Sequence, residues 1–220
     1  SAHSYSNSQA GDAARGKLGV RPATTDSSMP TVFHLGLLLC WAVVLGYWAI
    51  TALRAKPVTR SESRARQFLA YWLPLIIAVL LLGPGHWFGH GWLREQFVPH
   101  SLPAYTLGLL LCAAGAALAL WSRWQLGRNW SGNVQIKQAH ELISSGPYAH
   151  VRNPIYSGFL LMFSGTALVV GDWRGVIAVA IVFASFWVKL RQAERFLAAH
   201  FGPAYSAYTA RTRRLIPGLL

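Results

Sequence analysis

The 220-residue chain is 53% hydrophobic and only 12% charged, with a mean hydropathy of +0.32, which is too apolar for a water-soluble domain of this length. Twenty Lys and Arg against seven Asp and Glu give a formal net charge of +13, and on so apolar a chain that excess favours anionic lipid headgroups. The cations flank apolar runs and form no compact patch, which argues against a nucleic-acid partner and for an integral, multi-pass membrane protein.

Residues 1–28 are polar and rich in Ser, Ala and Gly, and they lack the apolar run of a secretory signal. They read as a disordered tag, vector remnant or native tail, with Met29 as the expected natural start. Val32 to Leu53 is almost uncharged and long enough to cross a hydrocarbon core of about 30 Å. The following RAKPVTRSESRAR carries five basic residues against Glu62, so the positive-inside rule places it in the cytosol and the N-terminus outside. Gln67 to Leu82, interrupted by Pro74, is the second span and ends in the interfacial turn GPGHWFGHGW. His86, His90 and His100 lie in or near that turn, but their spacing offers no familiar ligand set, so no metal is expected and solvated loop histidines are the reading.

Pro103 to Trp121 forms the third span, and its CAAGAALA stretch would let a neighbouring helix approach closely. Cys40 and Cys112 fall inside apolar runs and read as small core residues. Arg123, Arg128 and Lys137 return the chain to the cytosol. Ile155–Val170 and Val176–Val188 then form a short apolar hairpin around the outer turn GDWRG. After it, Phe196, Leu197, Phe201, Tyr205 and Tyr208 form an apolar stripe beside Arg191, Arg195, Arg211, Arg213 and Arg214, a pattern expected of a segment lying in the cytosolic interface. The expected fold is therefore all-α: a polytopic transmembrane helical bundle of about five spans. Residues 29–125 supply three spans, and residues 126–220 form a C-terminal module.

Between the third and fourth spans lies GPYAHVRNPIYSG, residues 146–158. Gly146-Pro147 marks a turn, and Pro154 pushes Asn153 out of helical geometry, leaving irregular backbone against hydrophobic segments. Such backbone is tolerated at membrane depth where protein buries it or where it lines a cavity. With this topology, three polar groups converge on the cytosolic side: Gln135 to Ile143, the 146–158 motif, and Lys189 to Arg195. Glu194 is the only acid after Asp172. It is either a functional group that needs a partner or half of an interfacial pair with Arg191, three residues before it.

The order LGRNWSGNVQ, HELISSGPYAHVRNPIYSG, an apolar hairpin, then AERFLAAHFGPAYSAYTARTRRLIP resembles the isoprenylcysteine carboxyl methyltransferase and phospholipid methyltransferase superfamily of membrane enzymes. The resemblance covers about Leu126 to Pro217. It implies a cytosol-facing S-adenosyl-L-methionine pocket held by Gln135, His140, Glu141, Leu142, Ile143, Tyr148, Asn153, Pro154, Ile155, Tyr156 and Glu194. It also implies a cation just ahead of Glu194 that orients the methyl acceptor, with Arg191 the first candidate and Lys189 the second. Arg191 and Glu194 are thus the catalytic candidates. Two positions depart from the family pattern: Asn153 stands where His is usual and Ala193 where a first Glu is common. Asn can donate and accept hydrogen bonds but cannot titrate near neutrality.

Methyl transfer from a sulfonium is an in-line displacement, so the protein mainly aligns the partners and excludes water. A carboxylate acceptor is already ionised and needs only a cation to place it, whereas a thiol or amine would need a base that the sequence does not offer. A lipophilic or small amphipathic carboxylate is therefore favoured. The alternatives are an NADPH-dependent membrane reductase related to the sterol reductases, and a non-catalytic scaffold or transporter component. The sequence leaves the oligomeric state open.

Overall fold

The computed structural model describes residues 29–52, 68–127 and 142–216. Among them the chain is helical, and its only β pairing consists of two isolated bridges, Gln96 with Asp172 and Val151 with Arg213. The elements are α1 (Thr31–Ala52), α2 (Leu73–Leu82), α3 (Leu102–Leu126), α4 (Pro154–Val170), α5 (Trp173–Phe201) and α6 (Pro203–Arg211). A π-helical turn, Phe68–Trp72, leads into α2. Pro74 lies in the first turn of α2, where the missing N–H costs nothing. It therefore marks the start of that helix and does not interrupt it.

Helices α1, α3 and α5 are long and apolar enough to cross a membrane, while Phe68–Leu82 and Pro154–Val170 are shorter apolar helices. Leu35, Leu39, Leu107, Leu110 and Val188 are each more than half exposed, as lipid-facing side chains would be. Contacts between the helices show that α1 to α5 alternate in direction. Phe33 packs on Tyr105 at one end of the bundle, and Arg123 Nη2 donates to the Thr51 carbonyl at the other.

Helix α4 lies at the centre. On one side Val44, Cys112 and Met162 join α1, α3 and α4; on the other Ala78, Phe163, Val182 and Phe186 join α2, α4 and α5. The closest approach is between α3 and α4, which run antiparallel. A Cβ built on Gly115 would lie 2.5 Å from the Gly158 carbonyl oxygen, and one built on Gly108 would lie 2.7 Å from that of Gly165. Close backbone contact at small residues is how helices associate where no hydrophobic gain separates lipid from protein. Cys112 is buried in this interface and Cys40 is half-buried, and both are free.

One end of the bundle is closed by Asp172 at the N-terminus of α5. Its carboxylate receives Arg174 Nε at 3.0 Å and Arg94 Nε at 3.3 Å. Arg174 also donates to the Leu81 and Gly83 carbonyls, satisfying groups that the end of α2 leaves open. His100 is not the solvated loop histidine expected: its Nε2 lies 3.0 Å from the Val170 carbonyl, so it caps α4. Among the described residues no group of His, Cys, Asp and Glu could hold a metal.

The expected short fifth span and separate interfacial segment are in fact one 29-residue helix, α5. Residues 189–201 are strong helix formers with no Gly or Pro, so nothing stops the helix before Gly202, whose φ of +50° breaks it. The expected stripe is divided there: Phe196 stays exposed on α5, while Tyr205 and Tyr208 on α6 are buried.

The glycine contact is testable by thermal unfolding in detergent. Gly115→Leu should lower stability by about 1–3 kcal/mol through overpacking, whereas Gly46→Ala, with nothing within 4 Å of the new Cβ, should leave the transition within error of wild type.

Candidate active site

At the other end of the bundle, residues 146–158 form a 3-10 turn (Gly146–Ala149) followed by the start of α4. Tyr148 is buried, and its hydroxyl donates to the Ser122 carbonyl of α3 at 3.4 Å. The motif is bound to the segment after α6. Arg152 N donates to the Arg213 carbonyl at 2.7 Å, and Arg213 N donates to the His150 carbonyl at 3.2 Å. Asn153 Nδ2 donates to the Arg214 carbonyl at 3.2 Å, and Ser157 Oγ donates to the Leu215 carbonyl. Tyr208 Oη donates to the Tyr148 carbonyl at 2.7 Å. The irregular backbone anticipated from Gly146-Pro147 and Pro154 thus finds its partners in the chain's own C-terminal segment.

Glu194 stands at the middle of this arrangement. Its Oε1 accepts from Arg152 Nε at 2.9 Å, and its Oε2 accepts from Arg214 Nη2 at 2.7 Å and Nε at 2.8 Å. The Arg152 and Glu194 side chains are 12% and 13% exposed, so the pair is largely withdrawn from water and neither charge could be left alone cheaply. Arg152 also donates to the Thr209 and Thr212 carbonyls, which fixes its plane. The alternative Arg191–Glu194 pair does not form. The Arg191 guanidinium lies over the Trp187 ring, 5.2 Å from its centroid.

The two cations proposed for the acceptor are separated by the helix. The Lys189 Nζ lies 4.9 Å from the Tyr71 ring centroid and 5.8 Å from that of Tyr156, between α5, α4 and the turn before α2. Arg191 is exposed on the opposite side. Tyr156 packs edge-on against Phe186 at 4.8 Å, and Tyr71 Oη donates to Gln192 Oε1 at 2.6 Å, so Lys189 sits in a fixed aromatic frame.

Of the other expected residues, Pro154 and Ile155 are buried at the start of α4 and Leu142 and Ile143 are half-buried before the turn. Gln135, His140 and Glu141 lie outside the described residues. The sequence reading passed over Arg152, Arg214 and Ser157. Charge parity was an available signal for the first two, since a single acid among many cations must be shared.

Burial pushes the Tyr208 hydroxyl up to about 12, with the Arg152 guanidinium acting against the shift. Burial also raises Tyr148 well above the ordinary tyrosine value, and burial with the Glu194 charge raises Tyr205. All three stay protonated at neutral pH, so none is a base, and Tyr148 and Tyr208 donate as described above. Tyr205 Oη is buried and has no hydrogen-bond partner among the described residues.

A model of the phospholipid methyltransferase family matches residues 103–204, which span α3, the motif, α4, α5 and Glu194. This match and the relatives below support a likeness to the isoprenylcysteine carboxyl methyltransferase and phospholipid methyltransferase superfamily. The protein-S-isoprenylcysteine O-methyltransferase of Schizosaccharomyces pombe is 29% identical over 160 residues, 67% of this chain and 67% of that protein. The cobalt-zinc-cadmium resistance protein CzcN of Cupriavidus metallidurans is 30% identical over 146 residues, 66% of this chain and 59% of that protein. Among solved structures, the eukaryotic intramembrane Ras methyltransferase ICMT matches with a TM-score of 0.46 at 21% identity, covering 86% of this chain and 63% of that one. The chain thus spans about three-fifths to two-thirds of the length of these relatives.

The donor set can be set against S-adenosylmethionine, the methyl donor that the resemblance implies. The cofactor's ammonium and hydroxyls require an acceptor such as Glu194, its carboxylate requires guanidiniums such as Arg152 and Arg214, and the unpartnered Tyr205 hydroxyl can serve a polar group of the ligand.

The knot of interactions predicts that Arg152→Met costs about 2–3 kcal/mol of stability, because it leaves Glu194 with Arg214 alone and removes the donor to the Thr209 and Thr212 carbonyls, and that trypsin then cleaves after Arg213 or Arg214 faster than in wild type. Tyr208→Phe should cost about 1 kcal/mol. Because the raised value of Tyr208 preserves its donor below the ordinary value and loses it only as pH climbs through about 12, that difference should be constant between about pH 6 and 9.

Proposed function

We propose that the chain is an integral membrane methyltransferase that uses S-adenosylmethionine to methylate a carboxylate on a lipophilic or amphipathic acceptor. The observation that carries this reading is Glu194, delivered by α5 to the superfamily motif and held there by Arg152 of that motif. When bound, the cofactor supplies an electrophilic methyl group on a sulfonium. Every other requirement falls to the chain's residues: holding the cofactor, placing the acceptor and excluding water.

Glu194, Tyr148, Tyr205, Asn153, Pro154, Ile155 and Tyr156 are the cofactor-holding residues of this proposal, with Gln135 and His140 to Ile143 completing the pocket from the preceding segment. Arg152 and Arg214 orient Glu194 and offer guanidinium donors to the cofactor carboxylate. Lys189 becomes the first candidate to place the acceptor, because it stands beside Tyr156 of the motif while Arg191 faces away. The raised tyrosines are not bases and Glu194 is held by two guanidiniums, which favours an acceptor that is already an anion. The Schizosaccharomyces pombe relative is, by its name, a protein-S-isoprenylcysteine O-methyltransferase, an enzyme that methylates oxygen. In the proposed topology five spans cross the bilayer, the N-terminus is outside, and the site faces the cytosol, as the basic segments 54–66 and 123–150 suggest.

Calorimetry with S-adenosylhomocysteine on the detergent-solubilised protein is the test. Binding of about −8 kcal/mol, a micromolar affinity, that Glu194→Gln weakens at least about tenfold would support the cofactor site. Lys189→Met should leave that affinity within about threefold and reduce methyl transfer to N-acetyl-S-farnesylcysteine by about a hundredfold. Folded protein that binds no S-adenosylhomocysteine would overturn the reading, and sterol-dependent oxidation of NADPH would replace it with the reductase.

A further inference from the structure

Helix α5 carries a second feature that shares only Arg214 with the methyl-transfer site. Phe183, Trp187, Arg191 and Arg195 recur every four residues and so share one stripe. The Phe183 and Trp187 rings stack with centroids 5.8 Å apart and planes 21° apart, and Arg191 lies over the Trp187 ring in turn. Arg214 completes the stripe from the C-terminal segment, its guanidinium 4.8 Å from the Trp187 centroid. Two guanidiniums therefore share one indole, while a single carboxylate, Glu194, serves Arg214 and Arg152 but not Arg191. Across residues 189–216 the same end of the bundle carries Lys189, Arg191, Arg195, Arg211, Arg213 and Arg214 against that one acid.

The stripe runs from apolar to amphipathic to cationic as α5 leaves the hydrocarbon. Phe183 is 37% exposed and the neighbouring Val188 55% exposed, as lipid-facing side chains would be, and Arg191, about two turns beyond Phe183, is exposed as well. An indole at that depth is the usual interfacial anchor, and guanidiniums are the preferred donors to phosphate oxygens. We propose that Phe183, Trp187 and Arg191, completed by Arg214, form a binding site for an anionic phospholipid of the surrounding bilayer. Its acyl chain lies along Phe183, and its phosphate is received by the two guanidiniums. A carboxylate on an apolar chain has the same chemistry, but the bilayer is the source favoured here. The stripe faces away from Tyr71 and Tyr156, where Lys189 lies, and it opens on the lipid side. The inference needs α5 in a membrane and does not need the cofactor site, with which it shares Arg214 alone.

Native mass spectrometry on the full chain, in micelles doped with dioleoyl phosphatidylglycerol or dioleoyl phosphatidylcholine, tests it. Wild type should retain the anionic lipid over the zwitterionic one, and Arg191→Gln should reduce that preference about fivefold, the ~1 kcal/mol that one cation contributes near an anionic headgroup. Trp187→Leu should reduce retention of the anionic lipid, Arg191→Lys should restore part of it, and Arg94→Gln, at the far end of the bundle, should leave it unchanged. Thermal unfolding checks that each variant is folded. Equal retention of the two lipids, or an Arg191→Gln protein that binds like wild type, would overturn the proposal. So would displacement of the lipid by one equivalent of N-acetyl-S-farnesylcysteine, which would assign the stripe to the acceptor.

Discussion

A lone carboxylate near the end of a long apolar helix must be neutralised, and much of the C-terminal half is arranged around that need. Glu194 is not paired with Arg191, one turn before it on the same helix, whose guanidinium lies over Trp187. It is met by Arg152, from the turn that opens α4, and by Arg214, from beyond α6. Three separate segments are thereby joined at one side chain. The hydrogen bonds from Arg152 to the Thr209 and Thr212 carbonyls extend the joint into the backbone. Where the surroundings are apolar, such groups have few other partners, so the pairing decides the path of the chain as well as its local charge.

The two ends of the bundle solve the same problem for different purposes. Around Asp172 the charges are closed on one another and on helix ends: Arg174 and Arg94 bind the acid, and Arg174 and His100 bind carbonyls. That end fastens helices. Around Glu194 the cations outnumber the acid, a tyrosine hydroxyl is buried without a partner among the described residues, and Lys189 is framed by aromatic rings. An excess of donors held in place suits recognition of an anionic or zwitterionic ligand better than it suits packing.

The apolar runs, the polar turn at 146–158 and the small-residue face of α3 could all be read from the sequence, because each is a local pattern with a local cause. The length of α5 is not legible in the same way, since the composition changes from apolar to amphipathic at Lys189 although no residue there breaks a helix. The partner of Glu194 was hidden for another reason. Arg191 is one turn away and Arg152 is 42 positions away, and spacing arguments see only the first. Which cation wins depends on the rotation of α5 against α4, and that rotation is set by the packing of Phe186 on Tyr156 and by the core beneath.

The glycine contacts between α3 and α4 constrain chain length as well as side-chain size. Gly108 and Gly115 are seven residues apart, and so are Gly158 and Gly165, which they meet in antiparallel order. Seven residues make nearly two helical turns, so all four glycines stay on the facing sides. Inserting or deleting one residue between the members of either pair would rotate one contact by about 100° and bring a side chain to where two backbones now touch. Length can vary freely only in the connections. The spacing from the Asp172 end to the Glu194 end is therefore held as a fixed ruler along α3 and α4, and the height of the motif above the bundle is inherited from it.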